Sequence, residues 1–91
     1  MECYNFTMNS IEWTKKALKQ LRKIPHPVKT LIAEKVSTLE DLEMATNIKK
    51  LTGHQYDYRL RVGDYRVFFN HAVLIEIVFI EEVKKRDERT Y

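Results

Sequence analysis

Cysteine, histidine, glycine and proline are scarce in this chain, and each shortage excludes a class of protein. The 91 residues include one cysteine, Cys3, so an internal disulfide and the common cysteine-based zinc sites are excluded. The three histidines, His26, His54 and His71, lie far apart without the spacing of metal ligands. Two glycines and two prolines are too few for a collagen-like or low-complexity chain. The sequence therefore predicts neither a metal site nor a cofactor.

Long apolar runs are also missing. The apolar stretches are interrupted within a few residues, far short of the ~20 that a membrane helix needs. The first residues lack a basic segment followed by an apolar run, so no signal peptide is evident. We therefore expect a cytoplasmic protein with no membrane partner. A length of 91 residues, of which 44% are hydrophobic and 32% charged, predicts a single globular domain over 1–91.

The first half of the chain predicts a strand followed by two helices. Residues 3–13 are rich in aromatic and β-branched types, which favours a strand. Thr14 is suited to cap a helix over 15–24, and Pro25 ends that helix. Pro27 suits the first turn of a second helix, and the short turn predicts an antiparallel helical hairpin. The apolar stripes of the two helices comprise Ala17, Leu18, Leu21 and Ile24, and then Val28, Leu31, Ile32, Val36, Leu39 and Leu42.

The second half predicts a loop and three strands. Residues 47–55 have the composition of a loop, whereas 56–62 and 65–70 alternate as a β-hairpin does. Residues 73–80 are apolar at nearly every position, which is typical of an internal strand. A charged tail over 81–91 ends the chain. We thus expect an α+β fold, in which the helical hairpin packs on one face of a mainly antiparallel sheet of about four strands.

The register of the predicted hairpin brings arginines together. With Gly63–Asp64 as a two-residue turn, Arg61 lies opposite Arg66, and Arg59 lies opposite Phe68. Because side chains alternate along a strand, the three arginines share one face, and the intervening residues pack on the helices. Like charges opposite each other destabilise a sheet, and carboxylates, water or a bound anion can relieve them. This face is therefore either a phosphate site for RNA or DNA or a solvated surface with splayed arginines.

Two other segments contain several basic residues each, in a chain whose net charge is +3. The face of the first helix that lies away from its apolar stripe carries Lys15, Lys16, Lys19, Arg22 and Lys23. The tail carries Lys84, Lys85, Arg86, Arg89 and the terminal Tyr91, although its acidic residues balance its charge. Either segment is a solvated surface or a contact for a nucleic-acid backbone, and an aromatic ring in the tail can stack on a base.

The segment YDYRLRVGDYRVFF, the apolar strand after it and the KR-x-x-x-x-Y tail resemble the RelE/ParE toxin superfamily. The helix WTKKALKQLRKIP also fits, so the resemblance covers essentially the whole chain. It implies the toxin of a type II toxin–antitoxin system, with a cognate antitoxin as partner. RelE-like members cleave mRNA in the ribosomal A site, whereas ParE-like members inhibit DNA gyrase without nuclease activity.

The RelE-like branch is favoured, which implies a metal-independent mRNA endoribonuclease that depends on the ribosome. A gyrase inhibitor is the alternative, and an inactive relative that only binds the antitoxin is a third interpretation. By position in the resemblance, Arg59 falls where a catalytic lysine is common, and Arg66 matches an arginine that contacts phosphate. Arg86 and Tyr91 match the tail arginine and tyrosine. The RNA-binding residues implied are Arg61, Lys84, Lys85, Lys15, Lys19, Arg22 and Lys23.

The general base is left open by the same comparison. The branch has a second catalytic lysine where this chain has Asp57, and the arginine at position 59 does not release its proton near neutral pH. Asp57, His54, a tail lysine and Tyr91 are all candidates. In the implied reaction the 2′-hydroxyl attacks the adjacent phosphorus, giving a cyclic phosphate and a free 5′-hydroxyl. Arginines would stabilise the charge on the phosphate oxygens.

Overall fold

A five-stranded sheet with two helices packed on one face is formed by residues 9–42 and 44–85, the part of the chain that the computed structural model describes. The elements in chain order are β1 (Ser10–Trp13), α1 (Lys15–Arg22), α2 (Val28–Ser37), β2 (Ile48–Lys50), β3 (Tyr58–Val62), β4 (Tyr65–Ala72) and β5 (Ile77–Lys85). The strand order is β1-β5-β4-β3-β2, with β1 parallel to β5 and the other pairs antiparallel. The α+β prediction is confirmed, with five strands instead of about four.

Helix α1 begins where the sequence predicts. The Thr14 hydroxyl accepts a hydrogen bond from the Ala17 N–H at 3.2 Å and donates to the Ile80 carbonyl at 2.9 Å. It therefore caps the helix and ties its start to β5. The helix ends at Arg22, earlier than predicted, because a proline at position 25 disfavours the helical conformation of the residue before it.

Helix α2 begins directly after Pro27 and buries Ile32 and Val36. Two leucines of the predicted apolar stripes stay outside the core, since Leu18 is 36% and Leu31 is 42% exposed. Consecutive helical residues are about 100° apart around the axis, so the buried Ile32 turns its neighbour Leu31 towards the rim. None of the helices among the described residues has the length and apolar character needed to cross a membrane.

The predicted hairpin register is confirmed. Arg61 pairs with Arg66, and Arg59 pairs with Phe68, across the turn at Gly63. The alternate side chains of β3 and β4 face the helices, as expected. The fully or largely buried core comprises Ala17, Ile24, Ile32, Val36, Leu39, Leu60, Val62, Val67, Phe69, Val78, Ile80 and Val83.

Strand β2 was not expected, because it lies within the predicted loop over 47–55. It spans three residues, Ile48–Lys50, and pairs with the outer edge of β3. A strand this short carries too little alternation for its sequence to be recognised. Its pairing sets Lys49 opposite Arg59, which adds a cation to the arginine side of the sheet.

The prediction of one strand over 73–80 is wrong at both ends. Val73–Ile75 form a 3₁₀ turn in which Leu74 is 98% exposed, and Glu76 adopts a left-handed backbone conformation with φ 57°. Strand β5 then runs to Lys85, into the segment predicted as a charged tail. The turn could not be predicted from the sequence, because this apolar stretch contains no glycine or proline to indicate a turn. At the other end of the chain, the predicted strand over 3–13 lies partly outside the described residues, and β1 covers its last part.

Candidate nucleic-acid interface

Five cations share the sheet face that lies away from the helices. The central pair is Arg61 and Arg66, which face each other across the hairpin. Their neighbours in register are Lys84 on β5, opposite Arg66, and Lys49 on β2, opposite Arg59. We call this surface the arginine face and define it by Lys49, Arg59, Arg61, Arg66 and Lys84. Lys49 was not among the predicted site residues because β2 was predicted as loop.

An open cavity of about 170 Å³ lies at the turn end of the arginine face. The residues that line it are Arg59, Arg61, Gly63, Asp64, Tyr65 and Arg66. Among the described residues, both ion pairs belong to Glu82, and neither of them includes an arginine. A cavity lined by the forked donors of three guanidinium groups suits a phosphate group.

The other predicted site residues are distributed unevenly. Lys84 lies on the arginine face, whereas Lys85 pairs with Tyr65, whose side chain packs against the core on the helix side. Helix α1 and the residue after it carry Lys15, Lys19, Arg22 and Lys23, so these cations stand on the helix side of the sheet. Arg86 and Tyr91 lie outside the described residues.

Besides the tail lysines Lys84 and Lys85, the candidate bases Asp57 and His54 lie among the described residues. Asp57 is exposed just before β3, and its backbone N–H donates to the Asn70 side chain at 2.7 Å. The Nδ1 atom of His54 accepts the Tyr56 N–H at 3.1 Å. In a neutral ring this bond leaves the proton on Nε2, so His54 presents a hydrogen-bond donor to its surroundings. The ring would have to release the Tyr56 N–H before Nδ1 could accept a proton.

A buried carboxylate beside the arginine face was not found from the sequence. Glu82 is 8% exposed and lies opposite Phe68 in the register of β4 and β5. Its Oε1 accepts a hydrogen bond from the Tyr56 hydroxyl at 3.0 Å. Lys16 lies 3.5 Å from Oε1, and Lys84 lies 3.7 Å from Oε2. Glu82 thus ties the loop before β3, helix α1 and the arginine face together.

The environment shifts the pKa values of both partners in this hydrogen bond. Burial alone would raise the pKa of Glu82, but the Tyr56 hydrogen bond and the charges of Lys16 and Lys84 outweigh it, so the pKa lies below its ordinary value. Burial raises the pKa of Tyr56, and the hydrogen bond to Glu82 raises it further. At neutral pH the pair is therefore a neutral phenol donating to a carboxylate.

We expect Glu82→Gln to weaken the fold in a pH-dependent way. Because the folded-state pKa is lowered from 4.5, ionised Glu82 stabilises the fold above about pH 4.5, and this contribution is lost as the pH falls through the folded-state pKa. The variant should be less stable than the parent by about 1–3 kcal/mol near pH 7, and the difference should be smaller at an acidic pH below 4.5. Urea unfolding at both pH values measures it. The exposed Glu34→Gln is the control, and an equal deficit at both pH values would contradict the assignment.

Metal-ligating side chains do not gather at this surface. Within 9–42 and 44–85, no three His, Cys, Asp or Glu side chains are grouped so that they could hold a metal ion. The chemistry available there is that of the clustered cations, the carboxylates of Glu82 and Asp64, and aromatic rings.

Comparisons with known proteins give a consistent result. The family model described as the ParE toxin of the type II toxin–antitoxin system parDE matches residues 11–89. A comparison with curated proteins finds none that matches the chain.

Solved structures with the same fold include three that contain a RelE toxin. The archaeal RelE–RelB complex from Pyrococcus horikoshii has a TM-score of 0.76 and 26% identity, covering 89% of this chain and 98% of that one. The isolated RelE toxin of E. coli has a TM-score of 0.73 and 25% identity, covering 90% and 88%. The intact E. coli RelBE toxin–antitoxin complex has a TM-score of 0.69 and 26% identity, covering 89% and 99%.

Proposed function

Since the chain belongs to the RelE/ParE superfamily of toxins from type II toxin–antitoxin systems, we propose that it is a ribosome-dependent mRNA endoribonuclease. One observation carries this proposal: three arginines surround an open cavity, with no ion pair to a carboxylate among the described residues. A cluster of guanidinium groups suits the developing charge on a phosphate that is being cleaved. The similarity to RelE toxin structures, at about a quarter identity, supports the same branch.

The proposed reaction is an attack of the mRNA 2′-hydroxyl on the adjacent phosphorus. The P–O5′ bond breaks, and the products are a cyclic phosphate and a free 5′-hydroxyl. Arg59 and Arg66 would stabilise the non-bridging phosphate oxygens, with Arg61 beside them. Arg86 would stabilise charge near the leaving oxygen, and Tyr91 would orient or stack on a base. We leave the base unassigned among Asp57, His54, a tail lysine, Tyr91 and the ribosome itself.

The remaining parts of the proposal concern partners. On the helix side, Lys15, Lys19, Arg22, Lys23 and Lys85 would contact ribosomal RNA backbone, while Lys84 on the arginine face would contact the substrate. The toxin would act in the cytoplasm as a single domain over 1–91. RelE forms complexes with RelB in the similar structures, so a cognate antitoxin is the expected inhibitor. Its covering segment should be acidic and apolar and should fold on binding.

Gyrase inhibition is the second candidate function. It is favoured by the aspartate and arginine at positions 57 and 59, where the nuclease branch commonly has lysines, and by the ParE description of the matching family. A gyrase inhibitor works by binding, so it needs no general base. This candidate predicts that a single substitution on the arginine face leaves toxicity mostly intact.

Toeprinting of an mRNA on translating ribosomes separates the two functions. We expect the purified toxin to produce breaks within A-site codons, and only when ribosomes are present. A parallel supercoiling assay with DNA gyrase should show no inhibition. An intact mRNA together with inhibited supercoiling would replace the nuclease proposal with the gyrase one.

A further inference from the structure

The ring of His54 stands in front of the arginine face on an aromatic support. It stacks on Phe68 with ring centroids 5.3 Å apart and planes 11° from parallel. Tyr56 packs on the same Phe68 ring at 5.6 Å. We propose that His54, backed by Phe68, is a stacking site for one nucleobase of the strand held by the arginine face. This inference rests on the proposed function and names how that site holds its substrate.

The His54 ring is held in place and is open on one side. Its Nδ1 accepts the Tyr56 N–H, which fixes the plane of the ring. Phe68 is 8% exposed, whereas His54 in front of it is exposed. A ring that served only to anchor the loop would itself be covered. An exposed, oriented aromatic plane is instead the surface on which single-stranded nucleic acids stack their bases.

Phe68, the residue beneath the His54 ring, is a near neighbour in the sheet of two arginines that line the cavity. Phe68 pairs with Arg59 on the next strand, and neighbouring strands lie about 4.8 Å apart. Arg66 precedes Phe68 by two positions on β4, which is about 7 Å along the strand on the same face. A phosphate in the cavity therefore leaves the attached base within reach of His54. In the neutral ring, the Nε2–H is a hydrogen-bond donor at the edge of the stack.

The charge of the buried carboxylate at this position is balanced by two lysines. The buried carboxylate nearby, Glu82, forms ion pairs with Lys16 and Lys84 and accepts a hydrogen bond from the Tyr56 hydroxyl. The same contacts fix Tyr56, and Tyr56 in turn fixes His54. The aromatic site and the arginine face thus form one surface that is positive and partly aromatic, a combination that binds single strands.

A double-mutant cycle on RNA binding tests this site. The probe is a short single-stranded RNA with 2′-O-methyl riboses, which cannot undergo 2′-hydroxyl attack, together with versions that are abasic at one position. We expect His54→Ala to weaken binding of the intact strand at least about fivefold, as loss of one stacked base does. His54→Phe should retain most of the affinity because it keeps the ring. The matched control is the exposed His26→Ala on the helix side, which should bind as the parent does.

The cycle distinguishes a stacked base from a general effect of the substitution. One abasic position should weaken binding to the parent and have little further effect on His54→Ala, so the two losses are not independent. Independent losses, or a His54→Phe variant as weak as His54→Ala with an unchanged unfolding midpoint, would overturn the stacking site. Toeprinting reads the proposed function separately. If the toxin cleaves mRNA on ribosomes but the two losses of RNA affinity are independent, the stacking inference fails and the proposed function stands.

Discussion

Replacing Arg66 with alanine should lower A-site cleavage by about 100- to 1,000-fold, the loss typical of removing one preorganised donor to a developing charge. Arg66 lines the cavity and lies directly opposite Arg61. The same substitution should not weaken the fold. Because the substitution removes one of two like charges that face each other, it should leave the free energy of unfolding unchanged or raise it by about 0.2–1 kcal/mol. Quantified toeprints and urea unfolding of the same preparations measure the two effects.

Two variants accompany this experiment. Arg66→Lys keeps the charge but loses the guanidinium fork, so part of the cleavage activity should return. Lys35→Ala removes an exposed cation from α2 on the opposite side of the molecule and should cleave as the parent does. An Arg66→Ala toxin that cleaves at the parental rate would refute the assigned role, as would one whose lost activity follows from an unfolded chain.

The hairpin was the part of the site most open to prediction from sequence. Its register depends on a two-residue turn and on strict alternation, both of which are local, and a slip by one position would bring the arginines to the core face. The opposition of Arg61 and Arg66 therefore follows from the order of residues in a short segment. The helix cap at Thr14 was predictable for the same reason, because its donor, the Ala17 N–H, lies three residues away.

The aromatic and acidic parts of the site depend on long-range contacts. Tyr56 and Glu82 are 26 positions apart, and β5 brings them together only because it continues to Lys85. The sequence over 81–85 is charged and predicted a tail, since no local pattern records that β4 pairs with it. The sequence alone left His54 as one of several possible bases, whereas the fold stacks its ring on Phe68. The extent of β5 and the position of the His54 ring are therefore set by tertiary contacts, which a local sequence pattern does not show.

Replacing Phe69 with alanine should cost about 3–5 kcal/mol of unfolding free energy, the usual loss for a buried aromatic side chain. Phe69 is fully buried and lies at a register shift between β4 and β5. Its ring stacks on Tyr58, with centroids 5.2 Å apart. Since the total free energy of unfolding of a small domain is only about 5–15 kcal/mol, much of the variant population should be unfolded at low urea concentrations. Urea unfolding followed by circular dichroism measures the loss.

The control is Phe79→Ala, which removes the same ring from a half-buried position on β5 and should cost clearly less. Equal losses for the two variants would contradict the placement of the core on the helix side. Phe69 and Arg66 belong to the same strand but point to opposite faces. Phe69→Ala should therefore reduce toxicity only in proportion to the unfolded fraction, and cleavage per folded molecule should remain near the parental value. Arg66→Ala should do the reverse, because the arginine face acts through charge and the core beneath it supplies the rigidity.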